Sequence, residues 1–297
     1  MSEVLEDSFS RGEDGEAGLV SMDLFEEGGE EGSDFRVKNI AQDQYHRAEV
    51  LQRTGAVNIS CNLTKVVHGI MSDDGDLYAT LLVMEWSFQA TGTRRISKAT
   101  IELEFEASSR EGVVEVEKVS FPGSYSLMPT TQEETVTRGG EATAGIEQFA
   151  ALSLTGKWEK TIAKTTSDAI SLTGGKRLIG NVPPNRIATW TLTENASQPA
   201  GIPSLLRVAV LVSRDDREKF YCKLGFSCKT DMKTTAERLF KKIPKDDPII
   251  FQPDPEKKGT RPNKNVSYGD DELEGIDLDD LGDVTFRTVL TNAQKTR

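Results

Sequence analysis

The chain has 297 residues with 36% hydrophobic and 28% charged side chains and a formal net charge of −12, at a mean hydropathy of −0.44. That is room for one large or two ordinary domains with a real core, and no run of about 18 uncharged apolar residues exists to cross a membrane as a helix. Three cysteines are too few for a disulfide scaffold and two histidines too few for a multi-histidine metal site. The first thirty residues are acidic where a signal peptide needs basic and apolar runs, so a cytoplasmic location is expected.

In chain order, residues 1–34 hold twelve acids against Arg11 alone. Like charge with Gly and Ser cannot bury enough surface to offset chain entropy, so 1–35 are expected to be disordered. From about 55 to 230 the pattern alternates with period two, which predicts strands. Val57, Ile59, Cys61 and Leu63 share one face; Tyr78, Leu82, Met84, Trp86 and Phe88 share another, with Thr80 among them. Ile101, Leu103 and Phe105 alternate with Glu102, Glu104 and Glu106, the mark of a sheet wet on one side. Trp190 and Leu192 alternate with threonines. Residues 205–212 (LLRVAVLV) are apolar on both faces apart from Arg207, which predicts a central strand covered on both sides. Phe220, Cys222, Leu224, Phe226 and Cys228 line one face of a further strand.

Turns are predicted at 72–76, 91–95, 120–124, 181–185 and 213–218 from their Gly, Pro, Asn and Asp content. Thr234 with Glu237 three residues later fits a capping box, which predicts one short helix ending before Pro244. The proline-rich stretch after it should run extended, pinned by Ile249, Ile250 and Phe251. Eight to ten strands without intervening helices predict an all-β fold, an antiparallel two-sheet sandwich over 36–252. Residues 253–297 are expected as an extended acidic C-terminal segment. Within it, 270–283 carry eight acids and no base, interleaved with Leu273, Ile276, Leu278 and Leu281. Apolar anchors among acids suit docking onto a basic surface, on this body or a partner, with Lys241 and Lys242 as the candidate receiving patch.

Catalytic signatures are missing. His46 and His68 lack any nucleophile motif and read as surface or strand-end residues. The run Leu172-Thr173-Gly174-Gly175-Lys176-Arg177 puts Arg where a phosphate loop needs Ser or Thr, and reads as a glycine turn or bulge. Asp73, Asp74 and Asp76 around Gly75 fit a hairpin turn better than a calcium loop. Cys222 and Cys228 lie roughly 20 Å apart along one strand and cannot bridge. The lysines of 229–245 are diluted by acids and lack interleaved aromatics, against nucleic-acid binding.

Residues 133–178 are rich in Ala, Thr, Ser and Gly. Ala142, Ala144, Ile146, Ala150, Leu152 and Leu154 share one face, with Thr143, Glu147, Ser153 and Thr155 on the other. Amphipathic hairpins of this texture are found in soluble proteins that become membrane pores. The returning arm fits less well, because Lys160, Lys164 and Asp168 share parity with Ile162, Ile170 and Leu172. A lysine at mid-bilayer costs about 2–4 kcal/mol.

LLVMEWSF, RRISKATIELEFE, SLMPTTQEE, ATWTLTENASQPAGIPSLLRVAVLVSR and AERLFKKIPKDDPIIF resemble segments of a group of uncharacterised proteins from filamentous fungi, over about 80–270. The resemblance implies an intracellular β domain and carries over no functional residue. The expectation is a non-catalytic interaction module that uses no cofactor and no metal, with a protein as partner and neither nucleic acid nor membrane as ligand. The alternative is a membrane-active or pore-forming protein using the 133–178 hairpin.

Overall fold

The computed structural model describes residues 37–41, 44–54, 57–73, 75–90, 94–138, 160–230, 246–257 and 264–286, with backbone alone over 128–138, 160–167 and at 270. The predicted helix, Lys241 and Lys242, the acidic N-terminus and the hairpin tip lie outside the described residues.

Two sheets pack face to face. Sheet I is built on β2 (Val57–Ile70), β3 (Tyr78–Ala90) and β9 (Leu205–Arg214). The free edge of β2 is shared end to end by β1 (Glu49–Arg53), antiparallel, and β12 (Val266–Glu272), parallel. That of β9 is shared by β5 (Val114–Val119) and β13 (Asp283–Thr285). Sheet II is antiparallel throughout. Its order is β11 (Ile249–Phe251), β10 (Phe220–Thr230), β4 (Ile96–Ala107), β8 (Val182–Thr193), β7 (Lys160–Ile179) and β6 (Gly123–Arg138). The alternation of residue types produces this: Trp86, Met84 and Leu82 from β3 and Leu206, Val208 and Val210 from β9 meet Ile101, Leu103, Phe105, Trp190 and Leu172 from sheet II in one core. The three cysteines are buried and free.

Two turns differ from expectation. The connection between β7 and β8 is the two-residue loop Gly180–Asn181, both at φ of 60°, a conformation that Gly and Asn adopt most readily. The prolines expected to form this turn begin β8 instead, beside the register shifts at 177–179, where a missing N–H is tolerated. Gly174 is not in a turn either. It lies inside β7, where a Cβ would come within 2.4 Å of the Phe121 carbonyl oxygen and 2.8 Å of the Trp190 ring.

Sheet I is covered on its outer face too. Val67, Ala79, Leu81, Val83, Ala209 and Leu211 form a second apolar cluster with Leu273 and Leu278 from the acidic segment. A strand apolar on both faces, as β9 is, requires such a cover.

Candidate functional site

The β6–β7 hairpin outruns the sheet that holds it. β8 pairs β7 only over Ser171–Ile179, whereas β6 follows β7 from Gly123 opposite Gly174 to Arg138 opposite Lys160. From Ile170 out to Lys160, β6 is the only strand paired with β7 among the described residues. At about 3.4 Å per residue, that ribbon is roughly 35 Å long. Its Thr-rich sequence suits extended backbone, but a two-stranded ribbon alone in water is marginal at best and leaves both edges open to further pairing.

Two clasps grip the hairpin near the sandwich. At the exit, Leu127 faces Ile170 and Thr130 faces Asp168, so β6 carries one extra residue at Met128–Pro129, a bulge that bends the strand. Opposite it, Asn195 Nδ2 donates to the Asp168 carbonyl oxygen at 3.1 Å and Ser197 Oγ donates to the Asp168 carboxylate. Asn195 is itself fixed, because its Oδ1 accepts from the amides of Ser197 and Gln198 at 2.9 and 3.1 Å.

The second clasp is the acidic segment. Asp279, in a single 3-10 turn (Asp279–Leu281), accepts from the Phe121 amide at 2.5 Å and from the Tyr125 hydroxyl at 3.1 Å. Gly282 lies so close that a Cβ would fall 2.7 Å from the Phe121 ring. Lys118 Nζ donates to the Glu274 carbonyl oxygen at 2.5 Å. Between this segment and the hairpin base is a cavity of about 490 Å³ lined by Gly123, Gly174, Lys176, Ile276 and Asp279 among others.

The expected docking leucines therefore sit on the protein's own sheet. Leu273 and Leu278 are buried, and Ile276 and Leu281 pack partly buried against the same cluster. Among the described residues, the surface that receives them is the apolar outer face of sheet I, and burying a Leu there gains about 1.5–3 kcal/mol.

The histidines depart furthest from expectation. His46 and His68 are both buried, with Nε2 of each ring 3.0 Å from the other. His46 Nε2 also accepts from the Gln252 amide at 3.1 Å, so it carries no proton, and the shared proton belongs to His68 Nε2. That leaves His68 Nδ1 to accept from the Thr80 hydroxyl at 2.9 Å. Burial lowers His46 to about 4. Burial, then His46 and Arg214, hold His68 well below the usual imidazole range. The two neutral rings pack among Tyr268 and Phe251, with the Thr80 hydroxyl donating to His68. The pairing joins β2 to a segment 22 residues earlier and was invisible to motif reading; the apolar Val66-Val67 beside His68 was its one local sign.

No family model matches the sequence, and no curated protein does. Among solved structures, the chain is similar to the NetB toxin of Clostridium perfringens in its membrane inserted form, at 6% identity and a TM-score of 0.29, over 62% of this chain and 83% of that one. It is likewise similar to the delta-toxin of Clostridium perfringens, at 10% identity and a TM-score of 0.29, over 61% and 86% of the two chains. Likeness at this distance carries no argument about what this chain does.

Proposed function

We propose that the protein is a non-catalytic β-sandwich that acts on membranes through the hairpin spanning 133–178. The observation that carries this reading is the ribbon: two long antiparallel strands continue past the last sheet strand paired with them among the described residues. Isolated ribbons need neighbours, and neighbouring copies that pair edge to edge supply them by closing a barrel, the form in which strands cross a bilayer.

The register also moves the lysines out of the costly position. Lys160 is opposite Arg138 and Lys164 is opposite Glu134, and 139–159 form the link between Arg138 and Lys160. Allowing for a short turn, that link gives about nine residues per arm, close to the 9–11 a bilayer strand requires. The charged rungs then belong at the headgroup level. In the sequence of that link, Ala142, Ala144 and Ile146 alternate with Thr143, and Leu152 and Leu154 with Ser153 and Thr155. This is the apolar-out, polar-in alternation of a barrel wall.

The interaction-module reading keeps the non-catalytic sandwich but loses its anchors, since Leu273 and Leu278 are already buried. Release of a dye trapped in liposomes tests the proposal. The full chain should release it, and a variant with 139–159 replaced by Asn-Gly should fold and leave vesicles sealed. Vesicles that stay intact with the full chain, from pH 5 to 8 and with neutral and anionic lipids, overturn the reading.

A further inference from the structure

A second feature lies away from the hairpin, where β2, β9 and β12 meet. A cleft of about 220 Å³ opens there, lined by His68, Tyr78, Arg214, Arg217, Tyr268 and Pro253 among others. Arg214 is only 2% exposed, yet it forms no salt bridge within the described residues. Its Nη1 donates to the Asp216 carbonyl oxygen at 2.7 Å and its Nη2 reaches the Ala79 carbonyl oxygen at 3.4 Å. Its Nε is buried with no partner among the described residues, and so is the Tyr268 hydroxyl. The nearby carboxylates are turned elsewhere: Asp215 Oδ1 accepts from the Val113 amide at 2.8 Å, and Asp216 Oδ1 accepts from the Glu218 amide at 3.0 Å.

Arg214 and Arg217 both line this cleft. The guanidinium carbons of Arg214 and Arg217 lie 5.9 and 5.3 Å from the Tyr78 ring centre, so two cations share one aromatic ring. Arg214 is held near 10, chiefly by burial, and that keeps it charged at neutral pH. A buried donor left unmade costs about 1–3 kcal/mol, and a cleft whose lining residues carry two of them is short of an acceptor. A tetrahedral oxyanion offers several acceptor atoms in a volume this cleft accommodates, and guanidinium recognises that class by geometry as well as charge.

We propose that this cleft binds a small oxyanion of the phosphate class, held by Arg214 and the Tyr268 hydroxyl with Arg217 at the mouth. The ion is either free in solution or the phosphate of a lipid headgroup. The inference does not rest on the hairpin reading, because the cleft uses no residue of β6 or β7.

Calorimetric titration of the full chain with inorganic phosphate, at ionic strength fixed by chloride, tests it. Saturable binding is expected, weakened roughly tenfold in Tyr268→Phe and in Arg217→Ala, in line with the loss of one charge-assisted contact. Both substitutions leave the buried guanidinium in place, so folding is preserved. No phosphate-specific heat in the wild type, or affinities in both variants equal to it, overturns the proposal. The variant with 139–159 replaced by Asn-Gly should bind phosphate as the wild type does, which separates this site from the hairpin. Phosphatidylcholine vesicles with and without phosphatidic acid distinguish the sources. Competition between vesicles and phosphate identifies a headgroup, phosphate binding without competition identifies a free ion, and each supports the oxyanion class.

Discussion

The two sheets share one core but differ in what lies on their outer faces. Sheet I is covered on its outer face over part of its length, where Leu273 and Leu278 of the segment 273–281 pack on Leu81, Val83, Ala209 and Leu211 of β3 and β9, and Arg207 pairs with Glu85 and Asp283 beyond that cover. Sheet II is wet outside: Glu102 of β4 pairs with Arg177 of β7, and Lys223 of β10 pairs with Glu104 at 3.7 Å and with Glu106. Sheet I gains stability from a cover supplied by distant sequence, and its edges are filled end to end. Sheet II has no such cover among the described residues, and its edge hairpin extends beyond β8. The contrast teaches where change is cheap. The ribbon beyond Ile170 has no third strand beside it among the described residues, while its base packs Tyr125, Leu127 and Leu172 into the core, and the strap on sheet I cannot leave without exposing a second apolar face.

The sharpest way to break this comparison is to empty the strap. Leu278→Ala should destabilise the protein by about 2–5 kcal/mol in denaturant unfolding, and Leu273→Ala by a similar amount, through lost burial and the cavity left behind. Both should raise protease sensitivity within 264–286. If neither changes the unfolding midpoint, the strap is not part of the fold.

A second effect should appear with pH. The His46 and His68 rings are neutral in the folded state, whereas an unfolded imidazole titrates near 6.5. As pH falls from about 6.5 to about 4, the unfolded chain takes up protons the native pair refuses. Stability is therefore complete above pH 6.5 and falls on acidification. His46 alone accounts for about 3 kcal/mol of that loss, from its shift to about 4. His46→Asn should flatten the curve between pH 6.5 and 4; Asn suits this position because the backbone there has a φ of 54°. An unchanged slope would show that the acid sensitivity arises elsewhere.

The smallest effect belongs to the wet face of sheet II. Arg177→Gln removes the ion pair with Glu102, whose side chains are 52% and 42% exposed, and should cost less than about 1 kcal/mol, and less still at high salt. A larger loss would mean that the outer face of sheet II is as structural as that of sheet I.

Most of the sandwich was legible because alternation is a local property. Ile101, Leu103 and Phe105 against Glu102, Glu104 and Glu106 give both the strand and its wet face, and LLRVAVLV announces a strand with two covers. Turn chemistry was legible less well. The prolines of 181–185 look like the turn, but Gly180 and Asn181 are the residues that adopt left-handed backbone. Gly174 looks like a loop residue until Trp190 is placed beside it.

The sequence by itself determined which residues point inward along each strand, that β9 needs covering twice, and that the acidic segment carries apolar anchors. Only the tertiary structure decided what those anchors cover, that two histidines read as surface residues form a buried pair, and that Arg214 and Tyr268 line one cleft with donors unmet. The physical reason is range. Side-chain alternation is imposed by the geometry of a single strand, whereas these contacts join residues tens to hundreds of positions apart, and their partners are set by how sheets stack and by which edge remains open.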